Sequence, residues 1–339
     1  MIKYLGSKRL LIPAIIETVS QLEGKGSVID LFSGTSRVGH ALKQAGYQVF
    51  SNDLNTYAAT LATCYVQADL ETWGGIAQDY ISELNRLPGK PGYFTENFCI
   101  ESQFFQAHNG AKVDAIRTRI EQENHPTELK AILLTSLMEA ADRVDSTCGI
   151  QMAYLKQWAS RSYNDLELRL PNLLPRAESG KGRAYHSDAI DAVEHLSADI
   201  AYLDPPYNQH KYLGNYHIWE TLVKWDQPET YGVARKRVDV RSRHSAFNAK
   251  RKIAIALRRV IDKLDVKHLI VSFSDEGYIS KEEMIELLST RGEVQVIARD
   301  YRRYIGAQIG IYNPSGKQVG EVSHLKNTEY IFVVSQRSM

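Results

Sequence analysis

The chain has 339 residues, enough for more than one average domain and for a large buried core. Apolar residues make up 43% of it and charged residues 24%, with a net charge of +1, which is the composition of an ordinary soluble globular protein. It has no run of about eighteen apolar residues and no secretory signal layout, so neither a membrane span nor export is expected. Three widely spaced cysteines match no metal spacing. We therefore expect a cytoplasmic protein without a metal or a membrane partner.

Short runs rich in β-branched and aromatic residues predict strands, and each run ends in polar residues or glycine. They are Ser27–Phe32, Gln48–Asn52, Ile200–Leu203, His268–Phe273, Val294–Ala298 and Tyr330–Val334. Helical patterns lie between them at Ser36–Ala45, Ala189–Leu196 and Asn248–Leu264. Because helices alternate with nearly continuous apolar runs, the pattern predicts an α/β fold with a mostly parallel sheet covered on both faces. The last two runs have no helical pattern between them, which favours an antiparallel pair at the sheet edge.

Residues 69–183 break this alternation. Helical patterns at Ile76–Leu84, Val113–Gln122 and Leu129–Ala141 are followed there by a stretch of aromatic and basic residues. A helical block of this length inside an α/β chain indicates an inserted domain. We therefore expect residues 1–68 and 184–339 to form one domain and residues 69–183 to form a second, mainly helical one.

The segment Val28–Gly39 predicts a strand, a tight turn and the start of a helix. Gly34 lets the backbone of this turn approach a ligand closely. Asp53 follows at the end of the second predicted strand, where a carboxylate can accept hydrogen bonds from ribose hydroxyls. The glycine spacing does not match G-x-G-x-x-G, which disfavours a pyrophosphate-binding loop. By themselves these residues leave a nucleotide-type cofactor and an ordinary strand–turn–helix equally open.

The segment Tyr202–Tyr207 ends a predicted strand with Asp204, Pro205, Pro206 and Tyr207. Because prolines donate nothing to a strand ladder, they form a rigid platform at the carboxyl end of the strand, where α/β sheets bind ligands. This platform suits a planar substrate with an amino group. Tyr207 can stack on the base, while Asp204 and a proline carbonyl accept its two N–H hydrogens. A simple turn would explain the prolines but not the carboxylate and the ring beside them.

Four segments, in this order, resemble those of the α-group or D12-type adenine-specific DNA methyltransferases, the Dam-like family. Lys3–Lys8 resembles the family's K-x-x-G-x-K element, Asp30–Gly39 its cofactor loop, Asp204–Tyr207 its catalytic motif, and Asn327–Tyr330 the lead into its final strand. The resemblance implies a doubly wound, mostly parallel, seven-stranded methyltransferase sheet in which residues 69–183 are the target-recognition domain. It also implies S-adenosyl-L-methionine as cofactor and double-stranded DNA as substrate. One departure is Ser36, which stands where the family's F-x-G-x-G has its second glycine.

The resemblance also implies roles for individual residues in holding the cofactor. Tyr4 and Lys8 would contact its methionine end, Asp53 its ribose and Asp188 its adenine amine. The pocket would be lined by Asp30, Phe32 and Gly34.

The catalytic residues implied are Asp204, Pro205, Pro206 and Tyr207. Asp204 and the carbonyl of Pro205 would accept both hydrogens of adenine N6, so that the nitrogen lone pair becomes available for direct in-line displacement. Because N6 is paired inside a duplex, the base must first be flipped out of the helix. The scheme requires neither a covalent enzyme intermediate nor a metal.

A strongly basic segment follows the catalytic motif. Arg235–Arg259 holds ten Lys and Arg residues and one acid, Asp239, which favours phosphate contacts over a solvated helix face. The predicted DNA contacts are Lys3, Arg235, Lys236, Arg237, Arg241, Arg243, Lys250 and Arg251, with Tyr301–Tyr304 as a weaker second set. Between the motif and this segment, the aromatic residues of Tyr212–Glu220 either close over a flipped base or pack into the core.

Other functions remain open on the sequence. An RNA adenine methyltransferase uses the same tetrapeptide, but a large recognition insertion favours DNA. A non-catalytic DNA-binding protein on this fold would not need Asp204 and Tyr207, and a nicotinamide oxidoreductase leaves the two prolines unexplained. A cytosine N4 methyltransferase usually has serine at position 204. The recognition sequence, the oligomeric state and the presence of a companion restriction endonuclease in the same system are not given by the sequence.

Overall fold

The computed structural model describes residues 1–22, 26–209, 211–302, 311–312, 318–320 and 326–336. The strands are β1 (Ser27–Asp30), β2 (Gln48–Asp53), β3 (Arg183–His186), β4 (Ile200–Leu203), β5 (Thr230–Tyr231), β6 (Lys236–Arg237), β7 (His268–Ser274), β8 (Gly292–Arg302), β9 (Ile311–Tyr312), β10 (Gln318–Gly320) and β11 (Lys326–Gln336). The α-helices are α1 (Ile12–Gln21), α2 (Arg37–Gln44), α3 (Thr56–Ala62), α4 (Leu70–Arg86), α5 (Tyr93–Thr95), α6 (Ala107–Gln122), α7 (Thr127–Arg143), α8 (Ala189–Ala192), α9 (Tyr212–Asn215), α10 (His217–Lys224), α11 (Ile253–Lys263) and α12 (Lys281–Ser289). Single π-helical turns extend α3 at Thr63–Gln67 and α5 at Glu96–Ile100. No helix within these ranges is long and apolar enough to cross a membrane.

The main sheet has seven strands in the order β3-β2-β1-β4-β7-β11-β8. The first five run parallel, and β11 runs antiparallel to both β7 and β8. The predicted mostly parallel seven-stranded sheet and its antiparallel final pair are confirmed. The sequence pattern missed β3, because this edge strand has only exposed and half-buried side chains and therefore no apolar run.

Helices cover both faces of the sheet, which confirms the doubly wound fold. Successive side chains of a strand point to opposite faces, so Val28 packs against α1 and α2, while its neighbour Ile29 faces α8, α11 and α12. In β7, Ile270 likewise lies on the side of α1 and α2, and Leu269 lies on the side of α8, α11 and α12. Both faces must therefore be apolar, which explains the continuous apolar runs in the sequence.

The segment predicted as an inserted domain contains α4, α5, α6 and α7. These helices share one hydrophobic cluster with side chains of α3 and α10, including Trp219 of α10, whose ring centroid lies 6.4 Å from that of Phe105. Buried Arg117 of α6 adds polar contacts, since its guanidinium donates to the carbonyls of Leu222 and Val223 at the end of α10. The helical segment is thus joined to α3 and α10, which lie outside residues 69–183, through a common core.

This shared core predicts a large stability loss for Trp219→Ala. The side chain is 1% exposed, so its removal forfeits burial and leaves a cavity, and the free energy of unfolding should fall by about 3–5 kcal/mol. Urea denaturation followed by circular dichroism measures the change. Val233→Ala, at a position 75% exposed, is the control and should stay within about 0.5 kcal/mol of the wild type. Equal losses in the two variants would contradict the shared core.

Candidate active site

A cleft opens at the carboxyl edge of the sheet, beside β1 and β4. Strand order reverses between these two strands, and open α/β sheets bind ligands at such a switch point. Asp30 ends β1 and Asp204 directly follows β4, so the topology brings both carboxylates into the cleft. The empty space within the cleft is about 1120 Å³, a volume that includes its open, solvent-filled mouth.

The turn after β1 is fastened to the end of β2. The Gly34 N–H donates to Oδ2 of Asp53 at 2.9 Å. Gly34 has a φ of +50°, which favours glycine, and a Cβ at this position would make a tight contact of 3.3 Å with the Tyr4 ring. Ser36 adopts a φ of 59°. It therefore keeps the left-handed conformation that a glycine at its position would supply.

All seven residues predicted to hold a cofactor line the cleft, which places them together without testing their roles. They are Tyr4, Lys8, Asp30, Phe32, Gly34, Asp53 and Asp188. The carboxylates follow from the sheet, because Asp30 ends β1, Asp53 ends β2 and Asp188 comes soon after β3. Parallel neighbouring strands thus present three acidic side chains along one edge.

Asp30 is the most buried of these acids, at 1% exposure. Its Oδ2 accepts a hydrogen bond from the Gly39 N–H at 3.2 Å. Burial, together with the nearby charge of Asp204, raises the pKa of Asp30 to about 8, although the Gly39 hydrogen bond opposes the shift. Asp30 is therefore mostly protonated at neutral pH.

Asp204 belongs to a buried charge cluster with Lys8 and Glu329. The Lys8 Nζ lies 3.2 Å from Oδ1 of Asp204 and 3.1 Å from Oε2 of Glu329, and its side chain is only 5% exposed. Burial disfavours the charged form of Lys8, but the two carboxylates outweigh it and hold the pKa of Lys8 well above its usual range. Burial raises the pKa of Asp204 to about 6, with Lys8 opposing and Glu329 reinforcing the shift. Burial thus outweighs the attraction of Lys8 at this carboxylate.

The aromatic residues divide between the cleft and the core. Tyr207 packs beside Asp204, with its ring centroid 5.5 Å from that of Phe273 and 5.7 Å from Lys8 Nζ. Tyr212 lines the cleft and stacks on Tyr4 at a centroid distance of 5.2 Å. Tyr216 and Trp219, by contrast, are each 1% exposed. Of the aromatic residues in Tyr212–Glu220, Tyr216 and Trp219 therefore pack into the core, whereas Tyr212 is available to a ligand.

Part of the basic segment is engaged inside the protein. The guanidinium of Arg237 is 2% exposed and binds the carboxylates of Asp226 and Asp239, so its prediction as a DNA contact is wrong. Burial opposes the charge of Arg237, but these carboxylates keep its pKa above the usual range. Charge counting along the sequence could not reveal these acidic partners.

Four other predicted DNA contacts also have partners within the protein. Arg235 donates to Oδ1 of Asn97, Lys236 contacts the Met152 sulfur, Lys3 binds Asp142 and Asp145, and Arg243 binds buried Glu220 at 2.9 Å.

Three of the predicted contacts remain exposed. Lys250 and Arg251 are exposed before α11, and Arg241 is exposed over the Tyr231 ring at 3.9 Å. The side chains of Tyr301–Tyr304 lie outside the described residues.

Comparison with known proteins assigns the family. Residues 4–287 match the profile of the D12 class N6 adenine-specific DNA methyltransferases. The chain belongs to this family. The predicted resemblance is therefore confirmed over most of the chain.

Three curated relatives illustrate the similarity. The chain is 33% identical over 321 residues to the modification methylase StsI of Streptococcus sanguinis, covering 89% of this chain and 48% of that protein. It is 31% identical over 362 residues to the type II methyltransferase M.FokI of Planomicrobium okeanokoites, with coverage of 98% and 52%. With M.NlaIII of Neisseria lactamica the identity is 28% over 337 residues, with coverage of 95% and 98%. The chain thus spans about half the length of the first two relatives.

Three residues in or beside the cleft of this D12 family member were not predicted as site residues from the sequence. Glu329 is predicted from the sequence only as part of the lead into the final strand. It lies opposite Ser274 at the end of β7, because β11 is antiparallel and therefore starts at the carboxyl edge. The antiparallel pairing of the final strand, which the sequence predicted, was the feature that could have placed Glu329 at this edge. Lys211 and His244 line the cleft itself, and no sequence motif indicates them.

The raised pKa of Asp30 predicts a pH-dependent effect of Asp30→Asn. A carboxyl whose pKa rises on folding stabilises the protein at pH values below its unfolded pKa, near 4, and this contribution is lost as the pH rises toward 8. Asparagine does not titrate, so the free energy of unfolding of the variant, relative to wild type, should increase between pH 5 and pH 8. Urea denaturation at both values measures the difference. A difference independent of pH would show that Asp30 is ionised throughout.

Proposed function

We propose that the chain transfers a methyl group from S-adenosyl-L-methionine to N6 of adenine in double-stranded DNA. The observation that carries this proposal is the position of Asp204. It stands on its two-proline platform in the same cleft as Asp30, Asp53 and Asp188. An acceptor for an amino group and carboxyl groups that can hydrogen-bond a nucleoside thus share one site.

The residues present fit S-adenosyl-L-methionine. Among the described residues, Ser7, Ser33 and Arg37 line the cleft, and Ser7 Oγ, Ser33 Oγ and Arg37 Nε have no hydrogen-bond partner within the protein. Buried polar atoms are normally hydrogen-bonded, so these three are left for a polar ligand or for water. Asp53 would accept hydrogen bonds from the ribose hydroxyls, and Asp188 from the adenine amine. When bound, the cofactor supplies an electrophilic methyl group on a sulfonium centre.

The protein's own contribution to the chemistry is oriented hydrogen-bond acceptance. The N6 lone pair of adenine is delocalised into the ring, which makes the nitrogen a poor nucleophile. Asp204 and the carbonyl of Pro205 would accept the two N6 hydrogens and draw the nitrogen toward tetrahedral geometry. Lys8 holds the Asp204 carboxylate in place through Oδ1. Positioning and preorganised electrostatics of this kind supply much of the rate in many enzymes.

Access to N6 requires a flipped base, and the surrounding surface supports this step. The aromatic rings of Tyr207 and Tyr212 beside Asp204 could stack on the base and offset the cost of unpairing it, roughly a few kcal/mol. The helical segment of residues 69–183 is proposed to read the target sequence, since its core packs against Tyr4 and Tyr212, which line the cleft. A companion restriction endonuclease is proposed as well, because relatives carry the names of type II modification methylases.

The central test is substitution of Asp204. Asp204→Ala removes the acceptor, and Asp204→Asn places an amide donor where an acceptor is needed. Turnover should fall by about two to three orders of magnitude in both, as for loss of one preorganised electrostatic interaction. Transfer of a radiolabelled methyl group to plasmid DNA measures turnover, and calorimetry should show that the cofactor still binds, because Lys8 keeps its ion pair with Glu329. Asp262→Asn, at an exposed position of α11, is the matched control and should retain full activity.

Two results would contradict the proposed function. Adenine methylation by Asp204→Ala at the wild-type rate would show that Asp204 is not the acceptor. Labelling of RNA by the wild type, with DNA left unlabelled, would show that the substrate is wrong. Methylation-sensitive sequencing of the labelled plasmid gives both the modified base and the recognition sequence.

A second prediction concerns the exposed cations Arg241, Lys250 and Arg251. Replacing all three with alanine should flatten the dependence of log DNA affinity on log salt by about 0.9 for each phosphate that the variant no longer neutralises. Sequence preference should persist, because phosphate contacts position the protein without reading bases. Lys267→Ala serves as control, since Lys267 is 70% exposed but precedes β7 at the opposite edge of the sheet. An unchanged slope in the triple variant would show that these residues are solvent-exposed and contact no phosphate.

A further inference from the structure

Two basic side chains from distant parts of the sequence meet in the lining of the cleft. The Lys211 Nζ lies 2.7 Å from Nδ1 of His244, and both residues line the cleft. Lys211 follows the catalytic motif by four residues, whereas His244 belongs to the basic segment. Neither takes part in the Lys8, Asp204 and Glu329 cluster.

The backbone around this pair is fastened to the active site on two sides. The Asn248 side-chain amide donates to the carbonyl of Asn208 at 2.8 Å, which ties the basic segment to the loop after the catalytic motif. Phe247 is 2% exposed and packs edge-on against Phe32 of the cofactor turn at 4.9 Å. The basic segment next to His244 is therefore attached both to the loop that carries Lys211 and to the cofactor turn.

The hydrogen bonding of the pair determines what it can bind. A lysine ammonium can only donate, so the Nδ1 of His244 is the acceptor and its Nε2 carries the hydrogen. Lys211 has three N–H donors and uses one on His244. The acceptor of the pair is thus satisfied internally, while N–H donors and one positive charge are left for a ligand. This chemistry matches an anion with several acceptor oxygens.

The reaction brings such an anion to this place. A base that enters the cleft toward Asp204 leaves its own sugar and phosphates outside, no more than one nucleotide away. Pro206, Lys211 and Tyr212 belong to the same lining as Asp204. We propose that Lys211 and His244 form a subsite for a phosphodiester group that flanks the flipped adenine. This subsite rests on the proposed function and adds a contact specific to the target nucleotide.

The experiment combines a protein variant with a chemically altered DNA. Duplexes carrying the recognition sequence are prepared with one neutral methylphosphonate, either 5′ or 3′ of the target adenine. On unmodified DNA, Lys211→Ala should lower kcat/KM by about tenfold, as for loss of one charge-assisted hydrogen bond. On the duplex that lacks the contacted phosphate charge, the same variant should lose no more than about twofold, because the interaction is already absent.

Lys250→Ala provides the matched control. Lys250 is an exposed lysine of the same basic segment but does not line the cleft. Its effect should be equal on all duplexes, since it would contact a phosphate elsewhere. A 2-aminopurine at the target position should show weaker flipping with Lys211→Ala than with Lys250→Ala, a difference that a loss of general DNA affinity would not produce.

Each other outcome overturns the subsite. Equal losses for Lys211→Ala on every duplex would show that it contacts no phosphate next to the target. Weakened S-adenosyl-L-methionine binding by Lys211→Ala in calorimetry without DNA would assign the pair to the cofactor carboxylate instead. Both results leave the proposed function intact, provided that the wild type methylates adenine. Absence of methylation by the wild type would remove the proposed function and the subsite together.

Discussion

The buried ammonium of Lys8, shared between Asp204 and Glu329, is the interaction on which the site depends. A charge removed from water is costly unless it is paired, so these three groups hold one another in place. They come from the amino-terminal segment, the loop after β4 and the start of β11. The cluster therefore fastens three distant parts of the chain at one point, and the rest of the cleft is arranged around it.

The sheet topology makes this cluster possible. β1 and β4 are neighbours although about 170 residues separate them, so the cofactor turn and the catalytic motif meet at one edge. Glu329 can reach the same edge only because β11 runs against its neighbours. A parallel final strand would begin at the opposite edge of the sheet, and its first residues would lie far from Lys8. The antiparallel strand is thus required for this charge cluster.

Sequence reasoning succeeded where local pattern determines position. Continuous apolar runs predicted the central strands, and the residues Asp204 to Tyr207 predicted the end of β4, because both signals depend only on near neighbours. It missed β3, an edge strand without an apolar run, and it missed the meeting of Lys211 with His244 across 33 residues. It also counted Arg237 as available, although two carboxylates bury its charge. Pairing between distant side chains leaves no periodic trace in a sequence.

The acids inside the cleft and the cations near its opening have opposite effects on an approaching polyanion. Asp30, Asp53, Asp188 and Asp204 would favour a cationic ligand when ionised but repel a polyanion, and the proposed function requires DNA to place a base among them. Raising the pKa of Asp30 removes one of these charges at neutral pH, and Lys8 offsets another. Binding of DNA would also require positive charge on the surface around the cleft. Because the net charge of the chain is only +1, that positive charge must be concentrated in one region. In the proposed complex, Lys211 and the exposed cations Arg241, Lys250 and Arg251 would lie between the acids and the DNA backbone. The phosphates would then stay outside while the neutral base enters.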